Sequence, residues 1–520
     1  MVSWIVGLAG ALGADLVVGG PFADFSDVDD AVANANNGDR ILLAPGTYRG
    51  SFTINNERIT IESLEPQAAV LEPTTNLGFE IQGGNAEVEF RNVVIDGRNQ
   101  FPAITMTDGA MVELRHVRIE DIERDSMNNR DGGAIRATGN NSTLIIEDSE
   151  FSNGRAGDDG GFIAMGNNTS LTVDRTSFIG GEASDDGGAI YCTASNRCVF
   201  TEVFFDDNMT TAMNGSPAGG ALWATAVDDL EVVRSVLCRS SSQVGGAIFA
   251  SNSELVLRNS LLDANQATNQ GGALYIVQDP KAATADPPAI RSFQNVYRGN
   301  TGELGGAGFI TGDAFWQGHG DIYLSNRSTT PDMDEQDILR GEGDATALID
   351  YNLYFDISGP SFTTFPDKGD NYVRNLLEDV DPRFANSTVC DPLSVELQAQ
   401  SPAIDVYNRA ENYPNGSGTV FPNSQLDEPD GSDADLGAWG AASQWTDDDS
   451  DGFVGGIQDC DDGDGAIRPT GTEVVGNGTD ENCDGGDRCH IVTILNPPDE
   501  TVGIVIGPLA RRAPRTKVSV

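Results

Sequence analysis

The sequence predicts an all-β fold, a right-handed parallel β-helix, and two observations support this prediction. A double glycine followed by alanine or phenylalanine recurs seven times along the middle of the chain, beginning at residues 132, 160, 187, 219, 245, 271 and 305. Successive copies lie 26 to 34 residues apart, a period that is typical of solenoids. Between them are short β-rich runs without helical periodicity, such as "LIIEDSEF" and "LEVVRSVL". Each repeat is therefore interpreted as one coil, with the right-handed sense usual for parallel crossovers.

Each predicted element of a coil has its own signal. Coils should stack about 4.8 Å apart, the spacing of paired strands. The asparagines of the turns, Asn208, Asn265 and Asn300, should then form a hydrogen-bonded ladder. The glycines are expected where a corner needs a positive φ or has no room for a Cβ. One apolar residue per coil should face inward and form a column: Ile135, Ile163, Ile190, Leu222, Ile248 and Leu274.

The ends of a solenoid carry unpaired strand edges, which must be covered. Before the first coils, the pattern of residues 26–38 predicts a capping helix that begins at the N-cap Ser26 and ends at Gly38. Its apolar face is expected to comprise Val28, Ala31, Val32 and Ala35.

Three stretches of the chain resemble a known superfamily. The helix followed by "LLAPGTY", the coils, and the ending "DPRF…SPAID…DLGAWG" resemble bacterial exported right-handed parallel β-helix proteins of the pectin-lyase-like superfamily. The "GGAI…FxxN" coils resemble the repeat of chlamydial polymorphic outer membrane proteins. The resemblance covers residues 22–443, which it implies are one β-helix domain. The superfamily contains polysaccharide lyases and hydrolases, so it also implies an enzymatic alternative.

Charge and the N-terminal segment predict where the protein acts. The 520 residues carry a formal net charge of −49, which repels nucleic acid and anionic lipid and attracts cations. The small, apolar residues 1–14 predict a signal peptide, with a first buried strand as the alternative. No other apolar run is long enough to span a bilayer. We expect a monomer that is secreted or held on the exterior of the bacterial outer membrane.

Aspartates precede the double glycine in three successive repeats, at Asp131, Asp159 and Asp186. Later repeats have other residues at this position, so the fold does not require Asp there. If the three carboxylates stack about 5 Å apart, they repel one another unless a cation lies between them. The pattern therefore predicts a calcium-binding ladder of aspartates rather than a catalytic pair.

The acidic segment 446–487 predicts a second calcium site. It contains one D-x-D-x-D-G loop and one D-x-N-x-D-G loop, patterns whose oxygen ligands converge on one hard cation. Gln458 occupies the place of the glutamate that an EF-hand requires, and an acidic solvated linker is the alternative. The predicted ligands are Asp447, Asp449, Asp451, Asp459, Asp461, Asp480, Asn482 and Asp484.

The steps "DCDD" and "NCDG" in this segment resemble a metal-binding motif of surface proteins that is related to copper-binding proteins of methanotrophs. Copper is not expected here, because His, Met and thiolate ligands are lacking nearby. Cys460 and Cys483 bracket the segment, and Cys192 and Cys198 flank a short turn that a disulfide could bridge. The tail 488–520 is expected to be disordered or a degenerate anchor.

Two functions remain open from the sequence. The first is a non-enzymatic, calcium-binding surface protein that adheres to glycans or cell-envelope components. The second is a calcium-dependent polysaccharide lyase of the pectate type, or a glycoside hydrolase. A lyase would need a base beside the calcium ligands, and Arg136 or Arg175 next to Asp159 and Asp186 are the candidates. The sequence "GHG" at 318–320 lacks the companion residues of the polygalacturonase motif.

Overall fold

The structure, a computed structural model, describes residues 13–124, 131–211, 215–278, 289–330 and 338–356, short stretches between 363 and 403, and residues 436–437 and 466. These residues form a parallel β-solenoid of about 12 coils, which confirms the predicted fold class. The acidic segment 446–487, apart from Ala466, and the tail lie outside the described residues, as do residues 1–12 of the predicted signal peptide.

Three parallel sheets make up the wall of the solenoid, and successive strands of each sheet come from successive coils. The 14-stranded sheet comprises Asp15–Val18, Arg40–Leu43, Arg58–Ser63, Glu87–Arg91, Met111–Arg115, Thr143–Glu147, Ser170–Asp174, Arg197–Thr201, Leu230–Val233, Leu255–Arg258, Ala289–Phe293, Phe315–His319, Thr346–Asp350 and Tyr372–Arg374. The 12-stranded sheet comprises Thr53–Asn55, Phe79–Gln82, Ile104–Thr107, Ile135–Ala137, Ile163–Met165, Ile190–Thr193, Leu222–Thr225, Ile248–Ser251, Leu274–Gln278, Gly308–Gly312, Leu339–Gly341 and Thr363–Thr364.

The third sheet bends at a corner and has two columns of strands. Its longer column comprises Gly46–Gly50, Ala69–Pro73, Val93–Asp96, Arg118–Arg124, Glu150–Ala156, Ser177–Ile179, Phe204–Asp206, Val236–Cys238, Leu261–Asp263, Val296–Arg298, Ile322–Leu324, Leu353–Phe355 and Leu377–Glu378. Its shorter column comprises Glu182–Ala183, Met209–Thr210, Ser241–Val244, Gln266–Gln270, Thr301–Gly302 and Arg327–Ser328.

The predicted apolar column forms on the inner face of the 12-stranded sheet. Its six members pair in register from Ile135 to Leu274, and each is fully buried. In the next coil the column has Gly308 instead. The indole of Trp316 reaches this place from the 14-stranded sheet, and a Cβ on Gly308 would lie 2.7 Å from its Cη2. The glycine therefore makes room for a large side chain that crosses the interior.

The two glycines of each corner meet different requirements. Gly187, the first glycine of its pair, has a φ of +64°, which L side chains rarely adopt. The second glycine, Gly188, lies so close to the next coil that a Cβ would stand 2.1 Å from Gly220 O. Both predicted reasons for glycine, positive φ and lack of space, are thus confirmed.

The predicted asparagine ladder forms at Asn265 and Asn300. It does not include Asn208, because Ser240 occupies the equivalent position in the coil between Asn208 and Asn265. Asn265 Nδ2 donates to Asn300 Oδ1 at 3.0 Å, and Asn300 Nδ2 donates to Asn326 Oδ1 at 2.9 Å. A second ladder, which the sequence analysis missed, runs along the corner between the 14-stranded and third sheets. There Asn295 Nδ2 donates to Asp321 Oδ1 at 3.1 Å, and the backbone N–H of Asp321 donates to Asn352 Oδ1 at 3.0 Å.

The N-terminal helix spans Val28–Asn34, and its N-cap is Asp27 rather than the predicted Ser26. Asp27 Oδ1 accepts the backbone N–H of Asp30 at 2.9 Å, so this carboxylate satisfies a free N–H of the first turn. The helix ends before Gly38, at the C-cap Ala35. The strand Asp15–Val18 pairs with Arg40–Leu43, so the solenoid begins ahead of the predicted boundary at residue 22.

Residues 387–403, here called the strap, pack against the outside of the third sheet. Val395 and Ala403 of the strap join Leu436 and a column of outward side chains from the sheet: Val236, Leu261, Val296, Ile322 and Leu353. A disulfide from Cys390 to Cys238 fixes the strap across 152 residues of sequence. The sequence analysis did not foresee this bridge, whereas the disulfide between Cys192 and Cys198 is confirmed.

Candidate functional site

Five aspartates gather where three successive coils turn into the 12-stranded sheet. They are here called the aspartate corner: Asp131, Asp158, Asp159, Asp185 and Asp186. The coils stack as predicted, because Gly132 N donates to Asp159 O at 2.8 Å and Gly160 N donates to Asp186 O at 2.9 Å. The backbone thus brings carboxylates from neighbouring coils together.

The two central carboxylates also serve the backbone. Asp159 Oδ1 accepts the N–H of Asp186 at 3.1 Å, and Asp186 Oδ1 accepts the N–H of Ala218 at 2.9 Å. Each side chain therefore satisfies a backbone donor of the following coil, whereas the ladder asparagines accept a backbone N–H of the preceding coil. This is a structural reason for an oxygen-bearing side chain at these positions.

The carboxylates that come closest differ from the predicted trio. Oxygen atoms of Asp158, Asp159 and Asp185 all lie within 4.8 Å of one another, a spacing that one metal ion could bridge. Carboxylate oxygens are the ligands that calcium prefers. Asp131 is instead beside Arg136, with 3.7 Å between Asp131 Oδ2 and Arg136 Nε. The structure therefore brings together Asp158, Asp159 and Asp185 as candidate metal ligands. Of the predicted ladder, only Asp159 belongs to this group.

Burial and crowding raise the pKa values of this corner. The pKa of Asp159 is raised from 3.8 to about 7, first by burial and then by the charges of Asp186, Asp158 and Asp131. The pKa of Asp186 is likewise raised to about 7, by burial and then by Asp185 and Asp158. Near neutral pH these two groups therefore exist as a mixture of acid and carboxylate.

The two candidate bases lie in different places. Arg136 lies beside the aspartate corner through its contact with Asp131. Arg175 instead follows the strand Ser170–Asp174 and donates from Nε to Asp148 Oδ1 at 2.6 Å, with a further contact to Asp174. These carboxylates hold it at another corner of the coil, so the expectation that it lies near the aspartate ladder is not met.

A third arginine, which the sequence analysis did not consider, is buried beneath the corner. Arg124 is 1% exposed, and its Nε donates to Gly132 O at 2.8 Å. Its guanidinium also donates to Ile104 O and to Thr105 Oγ1. Burial lowers the pKa of Arg124 to about 9. These bonds position the corner that carries Asp131.

A row of aromatic rings, here called the aromatic strip, runs along the outer face of the 12-stranded sheet. Ring centroids of neighbouring residues are 4.3 to 5.8 Å apart, and the planes are within 9° of parallel. The first four rings are partly exposed and the fifth, Phe309, is buried. The strip comprises Tyr191, Trp223, Phe249, Tyr275 and Phe309.

The strip and the aspartate corner adjoin. Burial raises the pKa of Tyr191, and the charges of Asp159, Asp186 and Asp131 raise it further. In the two coils before Tyr191, the same outward position holds Ala164 and then Arg136. Arg136 therefore belongs to the same column as the rings, at its acidic end.

Small side chains line the other flank of the strip. The next outward position holds Thr193, Thr225, Ser251, Val277 and Thr311 in register. The hydroxyl of Thr225 is buried and has no hydrogen-bond partner. The sequence analysis missed both columns, although an aromatic residue follows the first glycine by four positions in five successive repeats.

Comparisons with known proteins identify one motif, in the acidic segment. A family model described as "Putative metal-binding motif" matches residues 459–487, which include five of the eight predicted ligands of the acidic segment. A search of curated proteins found no match. Among the described residues, no helix is long and apolar enough to cross a membrane.

Several solved structures are similar to this chain. A pectate lyase, Pel9A, is 14% identical, with 79% of this chain and 90% of that chain covered and a TM-score of 0.35. The catalytic domain of a GH87 alpha-1,3-glucanase in complex with nigerose is 11% identical, with coverage of 71% and 68% and a TM-score of 0.30. An alginate lyase from Paenibacillus is 15% identical, with coverage of 67% and 95% and a TM-score of 0.22. At these values the likeness adds nothing to the fold that the strand pairing establishes.

Proposed function

We propose that this protein is a secreted or cell-surface scaffold that binds a polysaccharide along the aromatic strip, without cleaving it. The observation that supports this proposal is the run of parallel, partly exposed rings, one per coil, from Tyr191 to Tyr275. Contiguous exposed apolar surface marks binding sites on soluble proteins, and aromatic side chains contribute strongly to such sites. The signal peptide that the sequence predicts supports secretion or a position on the cell surface.

A repeating ligand matches a repeating surface. The rings recur about every 5 Å along the solenoid, the spacing of paired strands. An extended sugar chain has a repeat of similar length and can present one unit per coil. Centroid separations of 5.4 to 5.8 Å exceed the about 3.5–4.0 Å contact between carbon atoms, so these rings are spaced by the coils rather than by close stacking on one another.

The negative charge of the protein favours a neutral polysaccharide over an anionic one as the ligand. The protein carries a net charge of −49, and the strip begins beside five aspartates. A polyuronate would place further carboxylates against this negative field, which repels them unless cations intervene. A neutral glucan would meet no such repulsion.

Calcium is the proposed cation, with two binding places. Asp158, Asp159 and Asp185 offer oxygens within 4.8 Å of one another, and the motif at 459–487 supplies further carboxylates. All these ligands are hard oxygens, which favours calcium over copper or zinc. The cation at the aspartate corner would neutralise the acidic end of the strip.

Affinity electrophoresis of the full-length protein through gels that contain neutral glucans or polyuronates tests the binding proposal. Trp223→Ala and Tyr275→Ala should each weaken binding at least about tenfold, the loss expected for an interface anchor worth about 1.4 kcal/mol. Gln317→Ala, on the outer face of the 14-stranded sheet, is the matched control and should bind normally. Equal retardation of all variants, or none across the panel, would contradict the proposal.

A second candidate function is cleavage of the polysaccharide. The pKa values of Asp159 and Asp186, which are raised to about 7, favour it. A carboxyl group with such a pKa can act as a general acid while a neighbouring carboxylate acts as base or nucleophile. In a lyase, Arg136 is the base candidate that lies beside the corner. Incubation with polysaccharides, with calcium and then with chelator, should release reducing or unsaturated ends that Asp159→Asn, Asp186→Asn or Arg136→Ala abolishes. Release that survives all three substitutions would remove this candidate.

A further inference from the structure

Two cysteines and an aspartate lie close together where the strap meets the third sheet. One oxygen of Asp206 and the sulfur atoms of Cys238 and Cys390 all lie within 4.8 Å of one another. Asp206 and Cys238 end neighbouring strands and are paired in register, whereas Cys390 belongs to the strap and is joined to Cys238 by a disulfide. Asp206 and Cys238 are buried, and Cys390 is partly exposed. The cluster is therefore largely shielded from water, and a reductant meets it from the side of the strap.

Asp206 keeps the capacity to bind a further partner. Its two oxygens accept hydrogen bonds from the guanidinium of Arg239, with 2.9 Å between Arg239 Nε and Asp206 Oδ1. A carboxylate has about four lone-pair sites, so these two bonds leave sites for a cation. The neighbouring disulfide is uncharged and does not compensate the charge of this carboxylate.

Opening the disulfide changes the charge balance of the cluster. Cysteine binds metals as the thiolate. With both cysteines reduced and ionised, the cluster carries three negative charges, of which Arg239 compensates one. Like charges within 4.8 Å of one another repel strongly where water is scarce. One divalent cation would supply the two positive charges that are missing.

The donor set selects the kind of cation. Two thiolates with one carboxylate suit zinc or the chemically similar cadmium. Among the described residues, the other group of side chains close enough to hold a metal is at the aspartate corner, and it offers oxygen alone. The two clusters are therefore expected to bind different metals.

The distances and the mobility of one ligand leave room for the ion. Zinc lies about 2.3 Å from sulfur and about 2.0–2.2 Å from carboxylate oxygen, so two of its ligand atoms are at most about 4.6 Å apart. The limit of 4.8 Å in this cluster is close to that value. When the S–S bond opens, the two sulfur atoms must separate. Cys238 is held in a paired strand, so Cys390 and the strap move outward and make the space.

We propose that Asp206, Cys238 and Cys390 bind one zinc ion once a reductant has opened the disulfide. With a phosphine as the reductant, phosphorus gives two electrons to the S–S bond and takes an oxygen atom from water, whose two protons convert the sulfurs to thiols. Zinc then displaces both thiol protons, which pass to the buffer. Three protein ligands leave the fourth position of a tetrahedral zinc ion to water. Zinc thus ties the strap to the third sheet in place of the disulfide, whether or not the aromatic strip binds a polysaccharide.

Cadmium titration of the full-length protein in phosphine tests the site. Cadmium thiolates absorb in the ultraviolet, and replacing Cys460, Cys483 and Cys489 with serine removes the thiols of the acidic segment and tail. Cys192 and Cys198 are fully buried inside the solenoid and stay bonded. In this background the band should appear with one equivalent of cadmium and be lost in Cys390→Ser.

Two aspartate variants test the third ligand. Asp206→Asn should raise the cadmium concentration at half-saturation at least about tenfold, the loss expected when a metal site is impaired. Asp207→Asn is the matched control, because it removes the same charge from the adjacent exposed residue, and it should titrate like the wild type. A band that survives Cys390→Ser unchanged, or equal titration of the two aspartate variants, would overturn the proposal.

Limited proteolysis tests the cross-link. In phosphine, zinc should protect the strap from cleavage in the wild type and in Asp207→Asn, but not in Cys390→Ser. Without phosphine, zinc should leave the cleavage of the strap unchanged, because both sulfur atoms are bonded to each other. Equal cleavage of the reduced wild type with zinc and with a chelator would overturn the cross-link.

Discussion

At the residue scale, the paired glycines decide whether coils can stack. The first glycine of each pair adopts a positive φ that other residues rarely adopt. The second glycine is needed because there is no room for a side chain at its position. Gly188 shows the second requirement most clearly, because its Cα faces Gly220 O of the next coil. A Cβ there would force neighbouring coils apart where their strands are paired.

Gly188→Ala should therefore destabilise the solenoid by about 1–3 kcal/mol, the usual cost of overpacking. The free energy of unfolding in urea measures the effect. Gly84→Ala is the matched control, since its Cβ would come no closer than 3.6 Å to another residue and should change little. Equal stability of the two variants would contradict the steric explanation.

The aspartate corner makes stability depend on pH. Burial raises the pKa values of Asp159 and Asp186 from 3.8 to about 7, so between about pH 4 and 7 the folded state binds more protons than the unfolded chain. The contribution of these groups to stability therefore falls as the pH rises through that window. Asp159→Asn with Asp186→Asn should flatten the decline seen by urea unfolding between pH 5 and 8. The exposed control Asp228→Asn should follow the wild type. A double variant with an unchanged slope would show that other groups carry the dependence.

At the element scale, the strap covers a column of apolar side chains that the third sheet would otherwise expose. Besides its disulfide, the strap is held by Cys390 N donating to Asp263 Oδ2 at 2.8 Å. Arg298 Nη2 donates to Thr388 O at 2.8 Å and also contacts Asp263. The strap is thus fixed by one covalent bond and by two hydrogen bonds to a buried ion pair of the third sheet.

Replacing both Cys238 and Cys390 with serine should lower the free energy of unfolding by about 2–5 kcal/mol, because the bridge closes a loop of 152 residues. Limited proteolysis should then cut the strap before the coils. The control is Cys192→Ser with Cys198→Ser, which removes a disulfide whose cysteines are only 6 residues apart in sequence. Because this loop is short, its loss should increase the entropy of the unfolded chain less. A strap as resistant to protease as in the wild type would show that packing alone holds it.

At the scale of the whole molecule, the features that repeat were predictable and the features that depend on distant contacts were not. The glycine period places Ile135 and Leu274 in one column, because each coil obeys the same local rule. The partner of Cys390 could not be read from the sequence, since it depends on how the strap folds back. The predicted position of Arg175 was wrong because two corners of one coil lie close together in the sequence. The period of the repeat does not show which of the nearby carboxylates forms an ion pair with a given arginine.

The net charge of −49 gives the last prediction, which separates general screening from specific calcium binding. Raising sodium chloride from about 0.01 M to about 0.15 M shortens the Debye length from about 30 Å to about 8 Å, so the repulsion between carboxylates weakens and Tm should rise. If calcium binds as proposed, it should raise Tm further at the same ionic strength, because a ligand that binds only the folded state stabilises it.

Two double variants show which of the two proposed calcium sites produces the further rise in Tm. Asp159→Asn with Asp186→Asn should abolish the specific rise in Tm at pH 8 while leaving the response to sodium chloride. Asp449→Asn with Asp484→Asn should lower the number of calcium ions bound, measured by equilibrium dialysis, with the rise in Tm retained. The reason for the difference is that the first pair lies in the stacked coils, whereas the second pair belongs to the acidic segment that follows the coils in the sequence. Magnesium that raises Tm as far as calcium would contradict a specific site, and screening by a divalent ion would then account for the effect.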